Sequence, residues 1–288
     1  MGTIARIITL RIDTRQNPSY PTGGFISIVI GILASALGSV AIPSLLNKEF
    51  TAVTFIGLAI QHFREVRKTE KESLEDLEKT EYSKRGAAYI DGIAKTYESR
   101  NYLSLLTSLF VVLVLSILSL DNLIWNMVAA AASGLCMIYI LTRITKGKCI
   151  GDICNIKEGK ITIDHSDLLV DGMYVTNVLG TRKSRELFLE EGIGIVIEPK
   201  SNKFRITLEN YGQRQAMLFE ATRTFGVKRY SFTRKSYAKG KLLLAFVPII
   251  RDPEAIIDVI KKTPVLENSR KINTIMDIDI GGGINGTE

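Results

Sequence analysis

The sequence predicts a two-part chain: an α-helical membrane domain of four transmembrane helices, then a cytoplasmic α+β domain. Three observations predict this. Four apolar segments lie between Gly24 and Leu141, although 23% of all residues are charged. The basic residues that flank these segments fall on one side if all four cross. From Gly151 onward, short β-type runs and amphipathic helices replace the apolar stretches. A length of 288 residues leaves room for roughly two domains.

The first segment, GFISIVIGILASALGSVAIPSLL, runs from Gly24 to Leu46 and is long enough for a tilted crossing. Pro43 falls in its last turn, where a proline bends or ends a helix. Gly31, Ser35 and Ser39 recur every four residues, with Ala34 and Gly38 beside them. Such a stripe lets another backbone approach, so this face is expected to pack on a neighbouring span or on a second copy. The second segment, Phe50 to Phe63, is short for a crossing on apolar residues alone. The third, Leu103 to Leu120, and the fourth, Leu123 to Leu141, are separated by Asp121 and Asn122 and form a tight helical hairpin. Tyr102, Trp125 and Tyr139 lie near segment ends, where interfacial aromatics belong.

Charge decides the second segment. Arg6, Arg11 and Arg15 precede the first span, Arg64, Arg67 and Lys68 follow the second, and Arg143, Lys146 and Lys148 follow the fourth. The turns at Asn47 to Glu49 and Asp121 to Asn122 carry little positive charge. Four crossings with both termini in the cytoplasm place every basic flank inside. The expected domains are a cytoplasmic leader at 1–23, a membrane domain at 24–146, an α+β domain at 147–270 and a flexible tail at 271–288. Within the membrane domain, 64–101 is a cytoplasmic helical hairpin. Its first half carries i,i+4 pairs such as Lys68 with Glu72 and Lys71 with Glu75, and Val66, Leu74 and Leu77 form a narrow apolar stripe.

In the α+β domain, ITID, IGIVIEP and FRITLE read as β segments. GQRQAMLFEATRTFG follows as a helix ended by Gly226. KRYSFTRKSY and KGKLLLAFVP read as two strands joined by a glycine-containing turn. DPEAIIDVIKK opens with Asp252 as N-cap before Pro253, and Ile256, Ile257 and Ile260 would face the sheet. With a last strand near Val265 the order is ferredoxin-like, βαββαβ, preceded by extra strands from Lys157 to Ile197.

The chemistry that this chain lacks narrows its function. With two histidines and no HExxH, a zinc-dependent membrane protease is not indicated. The spans hold no Asp or Glu for an intramembrane aspartyl pair, and no glycine-rich phosphate loop occurs. A net charge of +7 fits cytoplasmic flanks better than nucleic-acid binding. Cys136, Cys149 and Cys154 have no framework spacing and read as reduced thiols. His62 with Ser27, Ser35, Ser39 or Ser44 is a weak candidate dyad, and Cys149, Cys154 and His165 a weak metal trio. No cofactor and no metal are expected.

Two polar clusters stand out. Asn210 to Ala216, NYGQRQA, sets Gln213, Arg214 and Gln215 at a helix N-terminus, where donors and the dipole suit a carboxylate partner. Tyr89 to Tyr102, YIDGIAKTYESRNY, puts Ile90, Ile93, Ala94 and Tyr97 on one helical face and Asp91, Lys95, Glu98 and Tyr102 on the adjoining one. Capping and helix docking are the bland alternatives. Asp91, Glu98, Arg100 and Asn101, with Gln213, Arg214 and Gln215, are the candidate partner-binding surface.

YIDGIA followed by KTYESRNY resembles the signature for which the YIEGIA family is named, with Asp91 in place of Glu. FIGLAIQHFREVR and NYGQRQA are also similar to that family, and the likeness runs from Gly24 to Arg270. The resemblance implies a multi-pass protein of the cell membrane of endospore-forming bacteria, linked to sporulation. It also implies a small soluble cytoplasmic partner, named as a capping-complex subunit. The function expected is a cytoplasm-facing regulatory or binding module controlled by that partner. The alternative is a membrane-anchored protease of unfamiliar type, kept inactive by the same partner. In that case Asp91, Glu98 or a serine near the membrane face would carry the chemistry.

Overall fold

The computed structural model describes residues 1–13, 21–118, 122–236 and 239–270. The chain divides into two compact units. One holds Met1–Leu77 and Ile90–Lys146, and the other holds Glu78–Tyr89 and the residues from Gly147 onward.

The first unit is helical: α1 (Gly2–Asp13), α2 (Pro21–Leu46), α3 (Thr51–Glu78), α4 (Ala87–Leu118) and α5 (Leu123–Thr145). Three stretches, Gly24–Leu46 of α2, Ala87–Leu118 and Leu123–Thr145, are long and apolar enough to cross a membrane. The small-residue face of α2 is a packing face, as its sequence suggests. Gly31, Ala34 and Gly38 are buried, and a Cβ on Gly38 would meet the Leu105 carbonyl of α4 at 2.4 Å. The Ser104 hydroxyl of α4 donates to the Gly31 carbonyl at 2.9 Å. Ala34, Ala59, Phe63 and Leu105 close a small core among α2, α3 and α4, capped by an edge-on contact of Phe63 with Tyr102 at 5.2 Å.

Within the expected leader, Gly2–Asp13 form α1, which packs into the bundle. Ala5 is fully buried beside Leu103 of α4 and Ile138 of α5. A Cβ on Gly2 would fall 2.4 Å from the Ser104 carbonyl, and one on Gly134 would fall 2.7 Å from the Met1 side chain. Glycines at these positions are what let α1 approach so closely.

The second unit carries a four-stranded antiparallel sheet, ordered β1 (Cys154–Gly159), β5 (Ile193–Pro199), β7 (Lys241–Phe246), β6 (Ser231–Ser236). A three-stranded sheet, β2 (Ile161–Asp164), β3 (Asp167–Val170) and β4 (Met173–Thr176), accompanies it. The short α6 (Ile150–Ile153) and α7 (Arg182–Glu191) complete this half. Alternation along β5 and β7 sends side chains to two cores. Ile193, Ile195, Ile197, Leu242, Leu244 and Phe246 face α9 (Tyr211–Phe225) and α10 (Pro253–Lys262). Val196, Leu243 and Ala245 face the smaller sheet and Phe188.

The expected caps form. Asn210 accepts from the Gln213 amide, Asp252 accepts from the Ala255 amide, and Gly226 ends α9 at φ 69°. Ile256 and Ile260 are fully buried toward the sheet, with Ile257 packed beside them. Two expectations fail. FRITLE is not a strand: Asn202–Phe204 is a 3₁₀ turn and Arg205–Glu209 is α8, whose Thr207 and Leu208 are buried. Helical spacing of these residues serves a one-sided contact as well as strand alternation would. The closing strand near Val265 is reduced to a single bridge between Cys149 and Pro264. The edge beside β5 is occupied by β1, so no room remains for it. The expected tail at 271–288 and Asp121 of the last hairpin lie outside the described residues.

Candidate functional site

The signature opens α4, and its spacing sorts its residues by neighbour. Asp91, Lys95, Glu98 and Tyr102 recur at intervals of four and three, so they stand in one stripe along the helix. Across from it, α3 supplies Arg67. Its guanidinium donates through Nη2 to Asp91 Oδ1 at 3.1 Å and through Nη1 to Glu98 Oε2 at 3.2 Å. Lys95 completes Asp91's shell at 3.2 Å, and the Tyr102 hydroxyl reaches Glu98 Oε1 at 3.4 Å. The hydrogen bond to Asp91 pulls the Arg67 guanidinium above its ordinary pKa, against the opposing effect of burial. The side chains of Arg67, Asp91 and Glu98 are 34%, 25% and 14% exposed, which leaves this charge network open to water along one edge.

The next stripe, Tyr97, Asn101, Ser104 and Ser108, is buried. Arg100 and Asn101, expected at a binding surface, are 7% and 1% exposed. Asn101 Oδ1 has no hydrogen-bond partner among the described residues. Nearby in this unit Arg6 of α1, 2% exposed, lies over Gly31 and donates through Nε to the Ser27 carbonyl at 3.3 Å. Glu70 of α3 answers it electrostatically. Burial pushes the Glu70 carboxyl above its usual range, and Arg6 pulls it partly back.

The second cluster lies in the other unit. Gln213 is fully buried and spends its amide on structure. It donates to the Pro264 carbonyl at 3.1 Å and accepts from the Leu266 amide at 2.7 Å and the Ser269 hydroxyl at 3.1 Å. Gln215 donates to the Lys84 carbonyl at 3.1 Å, and Arg214 lies 5.6 Å from the Tyr211 ring with Nε buried. Gln215 belongs to a seam along α9 that holds Glu78–Tyr89. The Thr222 hydroxyl donates to Ser83 Oγ at 2.9 Å, the Arg85 guanidinium sits 5.1 Å over Phe219, and the Tyr89 hydroxyl bonds Glu220.

The weaker constellations do not gather. The Ser39 hydroxyl donates to the Ala36 carbonyl, an ordinary use for a serine in an apolar helix, and His62 is exposed. His165 sits in a β-turn with φ 54°, beside Asp164. Burial pushes the Cys154 thiol up to about 12, which makes it a poor nucleophile and a poor ligand. Among the described residues no three His, Cys, Asp or Glu come together to hold a metal ion.

Sequence reasoning did not select Arg67, Arg6, Glu70 or Glu220 as site residues. Two carboxylates seven residues apart on one helix face were the available signal that a cation on α3 must meet them. No comparable pattern marks Arg6, because its burial depends on where α1 docks.

A helical unit with apolar spans, joined to an antiparallel α+β unit, defines a membrane-associated protein with a substantial extramembrane domain. The profile of the YIEGIA protein family matches residues 1–275, and the chain belongs to that family. The chain is 35% identical over 280 residues to protein YphB of Bacillus subtilis (strain 168), covering 95% of this chain and 92% of YphB. No solved structure matches it.

Proposed function

We propose that this chain is a four-crossing protein of the bacterial cell membrane whose cytoplasmic face is a regulatory binding module. A small soluble partner controls it, and it serves sporulation. One observation carries the binding role: both signature carboxylates accept hydrogen bonds from a single fork, Arg67. Carboxylates clamped together by one guanidinium present a fixed geometry, which suits recognition.

The fourth crossing draws support from the turn after α2. Asn47, Lys48 and Glu49 donate back to Pro43, Leu45 and Ser44, and Lys48 adopts φ 58°. The chain reverses there, and α3 runs back along α2 until Ala59 and Phe63 meet Ala34. Four crossings, read with the positive-inside bias, would set Arg67 and the signature on the side of the basic flanks, with both termini cytoplasmic. The larger sheet is a ferredoxin-like variant in which β1 takes the outer position beside β5.

A second reading, a membrane-anchored protease restrained by the same partner, takes its support from Glu70. A half-buried carboxyl with a raised pKa beside Arg6 is a candidate general acid or base. The test is to express the full chain in its host without the partner and follow cellular proteins by mass spectrometry. Glu70→Gln, Asp91→Ala and Glu98→Ala variants at equal abundance run beside it. Binding predicts unchanged protein levels in every case. Selective loss of one protein with the wild-type chain, abolished by any of the variants, would establish the protease and overturn the binding role.

A further inference from the structure

We infer that Tyr82, Ile249 and Ile250, rimmed by Arg223, Lys228, Arg229 and Arg251, form the docking surface for an acidic, water-soluble protein. The inference rests on the binding role proposed above and assigns it a place and a chemistry. All of these residues belong to the α+β unit, and the backbone ties them together. The Ile250 amide donates to the Phe225 carbonyl at 3.1 Å, and Ile249 lies against Gly226, where a Cβ would meet it at 2.6 Å. Two residues on, Lys228 donates its amide to Val247 at 2.9 Å, and the Tyr82 hydroxyl donates to the Arg229 carbonyl at 2.5 Å. The segments that carry these three large side chains therefore run side by side, and the side chains remain 71%, 63% and 60% exposed. Water-exposed aromatic and aliphatic side chains ringed by arginine match the make-up of interface anchors.

Charge chooses the occupant. The patch sets four cations against Glu191, paired with Lys228, and Glu158, 3.8 Å from Arg251. Three of the four cations belong to the basic part of the chain: from residue 200 to 241 there are eleven Lys or Arg and two Glu, enough to account for the whole excess of +7. An acidic surface is the complement. A bilayer is the less suitable occupant, because Glu191 and Glu158 stand among the cations and repel an anionic headgroup layer. Nucleic acid fares no better, because Tyr230 and Phe232, the aromatics that follow Lys228 and Arg229 in the chain, pack against Phe188 and offer no free platform for bases.

The test uses the full chain in its host with a photoreactive benzoylphenylalanine replacing Ile250, and a control with it replacing Val178, another exposed apolar residue. Irradiation should give one protein adduct at position 250 and none of the same mass at 178. Mass spectrometry should identify it as a soluble protein of net negative charge. The double reversal Arg223→Glu with Arg229→Glu should cut its yield about tenfold, with the chain's abundance and protease resistance unchanged. A phospholipid, nucleic-acid or self adduct, no adduct, or a protein adduct indifferent to the reversal would each overturn the inference. Failure here leaves the binding role standing if a partner still binds elsewhere, whereas substrate loss in the earlier experiment removes that role without touching this surface.

Discussion

Arg67 is the residue on which the signature depends, since among the described residues it alone reaches from α3 to both Asp91 and Glu98. Replacing it with alanine leaves two half-buried carboxylates facing each other across two turns of α4. Lys95 and Tyr102 relieve part of the loss, so Arg67→Ala should cost about 1–2 kcal/mol. Lys68→Ala removes only an exposed i,i+4 pair and should cost less than about 0.5 kcal/mol. Thermal unfolding of both variants in detergent checks the contrast, and equal losses would mean that the fork is not a clamp. Glu70 makes a pH-dependent prediction. Its folded pKa is raised, so the folded state holds the proton more tightly than the unfolded one. Stability therefore falls as pH rises through the ordinary glutamate range to the raised folded value, and above that the buried charge is a standing cost. Glu70→Gln should raise the melting temperature at neutral pH, and the gain should fade on acidification below the ordinary glutamate range. A gain that grew toward acid would contradict the burial argument.

At the scale of elements, the docking of α1 is the most testable feature. A Cβ at Gly31 would fall 2.5 Å from Arg6 Cγ, whereas one at Gly57 meets nothing within 4 Å. Gly31→Leu should displace α1 and lower the melting temperature by several degrees, while Gly57→Ala should be neutral or mildly stabilising. Similar responses would place α1 outside the bundle. In the other unit Gln213→Ala strands the Pro264 carbonyl, the Leu266 amide and the Ser269 hydroxyl, at a cost of about 2–4 kcal/mol. These two elements also mark where the sequence was legible. Caps at Asn210 and Asp252, the turn at Gly240 and the small-residue face of α2 are local signals, written within a few residues of where they act. The burial of Arg6 and Gln213 depends on what arrives from far along the chain, over 50 residues away in the case of Ser269. FRITLE failed for the same reason: six residues fit a strand or a helix until the neighbour is known.

At the scale of the molecule, the decisive quantity is the number of crossings. Among the described residues three helical stretches qualify by length and apolarity, and α3, 28 residues long, changes from apolar to charged at Arg64. A crossing needs about 20 residues, some 30 Å, so a crossing α3 would carry His62, Arg64 and Arg67 near the inner boundary. Arginines tolerate that position because long side chains reach the interface, and here Arg67 also finds Asp91 and Glu98. Four crossings put Lys48 and Asn122 outside the cell and Lys84 and Lys148 inside. Three crossings, with α3 on the inner surface, would leave the basic flanks divided between the two sides, against the usual bias. Single cysteines at these four positions, in a chain lacking Cys136, Cys149 and Cys154, decide the matter in intact cells. A membrane-impermeant maleimide should label positions 48 and 122 directly, and 84 and 148 only after permeabilisation. Labelling at 48 without labelling at 122, or the reverse, would break the four-crossing arrangement. Arg67 and the signature would then need to be placed afresh relative to the bilayer.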